Sequence, residues 1–115
     1  LAGLTGGVTG CSIQIPWFCD LGGINVGRVR GWRPDLAPGL LYYDTVNFAG
    51  RVRCPVRIDA GLSDWVCPPS GVRVLYNNLR CDKELIFRQG LDHAVYFGYD
   101  RNAAPRIVAK ESGKR

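Results

Sequence analysis

Two residues combine an acid and a base at a spacing that suits joint work. Asp64 closes the stretch Ala60-Gly61-Leu62-Ser63-Asp64, and His93, the single histidine, closes Gln89-Gly90-Leu91-Asp92-His93. A carboxylate beside a neutral imidazole fixes the tautomer of the ring and stabilises the imidazolium that forms when the ring takes a proton from a hydroxyl nucleophile. The chain order, acid before base, is that of hydrolases whose serine comes earlier still. Each residue also has a plainer reading, Asp64 as a turn residue that satisfies backbone donors and His93 as an ordinary loop histidine.

The elements that would have to position this pair are legible around it. Val8–Ile15, Val56–Gly61 and Glu84–Gln89 are apolar runs of strand length. Between the last two, Val72, Leu75, Tyr76 and Leu79 recur at helical spacing, which predicts a helix over Ser70–Leu79 with Ser70 as its N-cap behind Pro68 and Pro69. A strand, helix, strand unit of this kind is right-handed and parallel, so both following loops fall on one edge of the sheet. Asp64 and His93, 29 positions apart, are then expected to meet within hydrogen-bond reach, about 2.6 to 3.2 Å. Upstream, Tyr42, Val46, Ala49 and Val52 share one face of a helix expected over Leu41–Val52, ended by Cys54-Pro55. Leu21–Gly39, rich in Gly, Pro and Arg, reads as a long excursion with about one helical turn. The expected class is α/β, with parallel strands joined by crossover helices.

Composition narrows the function classes. A chain of 115 residues that is 46% hydrophobic holds one small core, and a lone sheet of this size needs cover on both faces. The net charge of +5 is carried by dispersed arginines, grouped at Arg28, Arg30 and Arg33 and at Arg51, Arg53 and Arg57. With no nucleic-acid-binding motif beside them, they read as a solvated basic face, and no nucleic acid is expected as partner. No apolar run approaches the ~20 residues of a membrane helix, so no membrane partner is expected. Cys11, Cys19, Cys54, Cys67 and Cys81 form an odd set without a Cys-x-x-Cys pair, and one histidine leaves few ligands for a metal. Buried free thiols in a reducing, cytoplasmic compartment account for them, and neither metal nor cofactor is expected. Cys67, at the start of a Pro-Pro turn, reads as a packing residue rather than a nucleophile.

Several stretches carry a resemblance. Tyr43-Asp44-Thr45-Val46-Asn47-Phe48-Ala49, Cys54-Pro55-Val56, Gly61-Leu62-Ser63-Asp64-Trp65-Val66-Cys67-Pro68-Pro69-Ser70 and Tyr76-Asn77 resemble the C-terminal half of acetyl xylan esterases and cephalosporin C deacetylases of the α/β-hydrolase superfamily. Ile15-Pro16-Trp17-Phe18-Cys19-Asp20 is similar to the family segment after the strand that follows the nucleophile elbow. The resemblance spans Val8 to His93 and implies that Asp64 is the triad acid and His93 the base. Trp17, past the first strand, would wall an acyl or sugar pocket. The implied reaction is removal of acetyl groups from carbohydrate or similar small esters by a serine esterase. A peptidase or other acyl hydrolase on the same scaffold, or a non-catalytic module or gene fragment, stands as the alternative. The resemblance leaves room for a homo-oligomer without marking the residues that would form it.

The sequence departs from the family pattern at the nucleophile. None of Ser12, Ser63, Ser70 and Ser112 lies in a Gly-x-Ser-x-Gly elbow. Reading Thr5-Gly6-Gly7-Val8-Thr9-Gly10 as a decayed elbow fails, because too few residues separate it from Pro16 to hold a helix and a strand. Leu1–Thr5 is therefore expected to end that helix, with the elbow and oxyanion donors before residue 1. Residues 101–115 show no resemblance and are left as a basic tail that is helical, disordered or foreign. With no methionine and an apolar start at Leu1, the 115 residues are expected to be a piece of a longer chain. Such a piece, lacking oxyanion donors worth about 10²- to 10³-fold each, should turn over an activated acetyl ester no faster than its Cys67→Ala, His93→Ala double mutant, and should self-associate in sedimentation. Saturable hydrolysis by a well-folded monomer contradicts that expectation.

Overall fold

The alternation of side chains along the two central strands separates an apolar face from a charged one. In β2 (Val56–Gly61), Val56, Ile58 and Ala60 are buried in the main core, while Arg57 and Asp59 point to the other face. In β3 (Lys83–Arg88), Leu85 and Phe87 join that core, while Glu84 and Arg88 pair with residues of the charged face. The two strands are parallel, with Ile58 opposite Leu85 and Gly61 opposite Arg88. β1 (Cys11–Gln14) pairs parallel on the outer side of β2, and β4 (Arg106–Glu111) pairs antiparallel on the outer side of β3. The order β1-β2-β3-β4 is thus a mostly parallel α/β sheet. This computed structural model describes residues 2–32, 35, 37–93, 100 and 102–113. Leu1, Arg33 and the last two residues of the basic tail lie outside the described residues.

Helix α3 (Pro69–Asn78) makes the crossover from β2 to β3 and lays Val72, Leu75 and Tyr76 on the apolar face. It starts one residue earlier than the spacing predicts, with Pro68 rather than Ser70 at the N-cap and Ser70 exposed. Pro69 at the first helical position removes a donor that would otherwise lack a partner, so no hydroxyl cap is needed there. At the other end, the Lys83 Nζ donates to the carbonyls of Tyr76 and Leu79 at 3.0 and 2.9 Å. A buried ammonium is thereby satisfied by the acceptor-rich end of a helix.

Three expectations are corrected. The helix predicted over Leu41–Val52 is two pieces, a 3-10 turn at Leu40–Tyr43 and a short α2 at Val46–Ala49. Asp44 stands extended between them, its carboxylate accepting from the N–H groups of Asp20, Leu21 and Val46, and Tyr42 faces solvent. Residues 101–115, left as a helical, disordered or foreign tail, contain β4, which pairs antiparallel with β3; the Gln89 N–H donates to the Pro105 carbonyl at 2.8 Å and continues the pairing. Residues 2–4, expected to end a helix, form a turn in a glycine-rich stretch. The excursion after β1 supplies α1 (Leu21–Asn25), which with Val29 builds a small second core of Leu21 and Ile24. The exposed Arg28 is tied to Asp20 and the exposed Arg57 to Glu84. Among the described residues no helix is long and apolar enough to cross a membrane.

On the charged face, Arg88 donates from Nε and Nη2 to both oxygens of Asp59, at 2.7 to 3.1 Å, with both residues buried. The pair spans β2 and β3 just below the loops that carry Asp64 and His93. Removing one partner of a buried ion pair costs about 3–5 kcal/mol, whereas apolar replacement of both is tolerated. Arg88→Met should therefore lower the unfolding free energy in urea by about that much, and Asp59→Leu with Arg88→Met should recover more than half of the loss. Equal destabilisation by the single and double replacements would contradict this account.

Candidate acid–base site

Past the ends of β2 and β3 the backbone ladder continues into the loops. The Leu62 N–H donates to the Arg88 carbonyl at 3.0 Å and the Ser63 N–H to the Leu91 carbonyl at 2.9 Å. Gly61 makes this closeness feasible. A Cβ there would run into the carbonyls of Leu91 and Asp92, so a side chain at 61 would push away the loop that ends in His93. Asp64 and His93 consequently face one another, with His93 Nδ1 3.2 Å from Asp64 Oδ2.

The two oxygens of Asp64 do different work. Oδ1 accepts from the backbone N–H groups of Val66 and Cys67 at 2.8 and 2.7 Å, shaping the turn that leads into Pro68-Pro69 and α3. Oδ2 is left for the imidazole. A carboxylate only accepts, so the neutral ring must donate from Nδ1, which leaves the lone pair on Nε2. The Asp64 side chain has no exposed surface, while that of His93 is 44% exposed. The acid is closed in, and the base opens to solvent.

Cys67 lies beside this pair. Its Sγ, the nearest carboxylate oxygen of Asp64 and a ring nitrogen of His93 all fall within 4.8 Å of one another, the one such donor group of three among the described residues. The thiol is buried against the Ile15 carbonyl. Desolvation, with the charge of Asp64 behind it, pushes its pKa up to about 12. It is therefore a protonated packing group at neutral pH, neither a ready nucleophile nor a ready metal ligand. The remaining four cysteines are also free thiols.

Trp17 sits in the loop after β1, on the same carboxyl edge, and is 44% exposed. Two residues that the sequence reading assigned no role join it. Trp32 donates its N–H to the Trp65 carbonyl at 2.8 Å, and its ring lies 5.4 Å from that of Trp17. Asp44 braces the loop that carries Trp17. The pattern around Asp44 was visible as an acid ahead of a short apolar run, but its donors lie 23 and 24 positions upstream, beyond any local signal.

Residues 34–110 match the family model described as acetyl xylan esterase (AXE1). The match runs past His93, where the motif resemblance stopped, to residue 110. The chain is also 33% identical over 102 residues to Acetyl esterase Axe7A of Xylanibacter ruminicola, covering 80% of this chain and 23% of that relative. It thus spans less than a quarter of the length of the curated protein it matches.

The contact at Gly61 can be tested without reference to any reaction. A hydrogen-bonded Nδ1–H gives a low-field imidazole proton in NMR, and that signal is expected in the unmodified chain. Gly61→Ala should remove it, as Asp64→Ala should, because the added methyl displaces the His93 loop. Retention of the signal in Gly61→Ala would show that the loops do not depend on this close approach.

Proposed function

The chain belongs to the acetyl xylan esterase family, and on that premise we propose that Asp64 and His93 are the acid and base of a serine-type esterase site that removes acetyl groups from carbohydrate. The single observation that carries the reading is the oriented pair itself, a fully buried carboxylate on Nδ1 of an imidazole whose side chain is 44% exposed. In the proposed reaction Nε2 takes the proton of a serine hydroxyl as its oxygen attacks the acetyl carbonyl, and the resulting imidazolium is stabilised by Asp64. The tetrahedral intermediate collapses to an acetyl-enzyme, the alcohol leaving with the proton from His93. Water, deprotonated by the same nitrogen, then releases acetate.

No serine of this sequence stands in a Gly-x-Ser-x-Gly elbow, so the proposal draws the nucleophile and its oxyanion donors from outside these 115 residues. The same observation favours a second reading, a module that keeps the sheet without the chemistry. Trp17 is proposed to line the substrate side of the site.

In the enzyme that carries this chain, Asp64→Asn should lower kcat on an activated acetyl ester by about 10⁴-fold with the fold intact, because the amide no longer holds the productive tautomer. His93→Ala should cost at least as much. Cys67→Ser should retain most of the turnover, since its thiol is held protonated and away from solvent. Near-normal kcat in either of the first two variants would make the pair structural and favour the second reading.

A further inference from the structure

Trp17 follows β1 and Trp65 follows β2 on the carboxyl edge of the sheet, Trp32 is bonded to the second of these loops, and each is substantially exposed: Trp17 at 44%, Trp32 at 42% and Trp65 at 62%. Trp65 directly follows Asp64. Trp32 is joined to it through the backbone bond to the Trp65 carbonyl, and Gly31 permits the approach, since a Cβ there would strike Pro68 and the Trp65 carbonyl. Trp17 and Trp32 meet at 5.4 Å with their planes tilted by 37°. Trp17 and Trp32 close a crevice of about 10 Å³ over Leu21, Val66, Cys67 and Pro68, which anchors the two rings on the small second core.

This grouping stands on a strained and braced support. Ile15, Phe18 and Asp20 all adopt left-handed backbone, with φ of 50°, 53° and 63°. Three such residues within six persist only where the surroundings hold them. The Phe18 carbonyl is gripped by the N–H and the hydroxyl of Thr45 at 2.8 and 2.7 Å. The Asp20 and Leu21 N–H groups are taken by Asp44, and the Asp20 carboxylate by Arg28. Phe18 stacks on Trp17 at 3.8 Å. Energy is thus committed to presenting exposed indoles in one geometry, the pattern of a binding surface rather than of packing.

We propose that Trp17 and Trp32, with Trp65 at the rim, form a subsite that stacks against a pyranose ring of the acetylated carbohydrate and favours sugar acetates over small acetate esters. The inference rests on the esterase reading above for the identity of the alcohol. An acetyl group is too small to need three indoles, whereas a pyranose offers an apolar C–H face to the π-surface and hydroxyls to indole N–H groups. The subsite therefore belongs to the alcohol side of the scissile bond.

The test uses the enzyme that carries this chain and two substrates, 4-nitrophenyl acetate and an acetylated xylo-oligosaccharide. Trp17→Ala and Trp32→Ala should each lower the ratio of kcat/KM for the oligosaccharide to that for the small ester by about ten-fold, mainly through KM. Trp17→Phe and Trp32→Phe should restore most of the ratio. An unchanged ratio in both alanine variants, or no rescue by phenylalanine, overturns the subsite. Should the unmodified enzyme hydrolyse neither substrate, the acid–base reading fails by itself. The subsite is then read from tryptophan fluorescence on titration with unacetylated xylo-oligosaccharide. Saturable quenching that is lost in the alanine variants supports it, and the absence of quenching overturns it.

Discussion

The parallel pairing of β2 with β3, carried past the strand ends at a residue with no side chain, is the constraint on which the site depends. Gly61 opposite Arg88 sets the level at which the two loops leave the sheet. Asp64 then lies three residues beyond one strand and His93 five beyond the other, and the bonds from Leu62 and Ser63 draw the loops together. A slip of one residue in this pairing would exchange the two faces of one strand against the other. If β3 slipped, Leu85 would leave the core, and Glu84 and Arg88 would enter it. The hydrophobic core and the acid–base contact are therefore selected by the same register.

Buried carboxylates solve a recurrent problem in this chain, that of loop backbone held away from water. Asp64 satisfies Val66 and Cys67, Asp44 satisfies Asp20, Leu21 and Val46, and Asp20 satisfies Gly23. In each case a charged acceptor takes N–H groups that no helix or strand partner reaches, a stronger bond than a neutral acceptor offers. Asp20 and Asp64 each keep one oxygen for a side chain, Arg28 in the first case and His93 in the second. The residue that shapes the turn into α3 is thereby also the residue that orients His93, which makes local folding and the proposed chemistry inseparable at that position.

Legibility in the sequence followed the range of the interactions. The span of β2 matched its expected bounds, and α3 and β3 shifted by one residue, because apolar runs and helical spacing report packing that is nearly local. The predicted helix over residues 41–52 broke at Asp44, where tertiary donors outcompeted helical propensity. β4 gave little signal, since it is an outer strand with Ile107 and Val108 about half exposed, and its alternation does not separate a buried from an open face. The pairing of Asp64 with His93 was suggested by topology, given one crossover, and was singled out from the plainer readings by the motif resemblance. The gathering of Trp17, Trp32 and Trp65 was not, because it depends on Gly31 approaching the Asp64 turn from an irregular excursion with no periodic pattern.

Cys67 also lies close to His93, within 4.8 Å, but it is Asp64 that bonds the ring, and burial sets the thiol further apart. The thiol is closed off by the Ile15 carbonyl and sits against a carboxylate, both of which disfavour the thiolate, so proximity to a base does not activate it. The imidazole has the opposite setting: one nitrogen is fixed by a fully enclosed acid, and nearly half of the ring is open. Its second nitrogen lies across the ring from Asp64, so in the proposed reaction the nucleophile would approach from the side away from the acid. Trp17 and Trp65 follow β1 and β2 on the same carboxyl edge of the sheet.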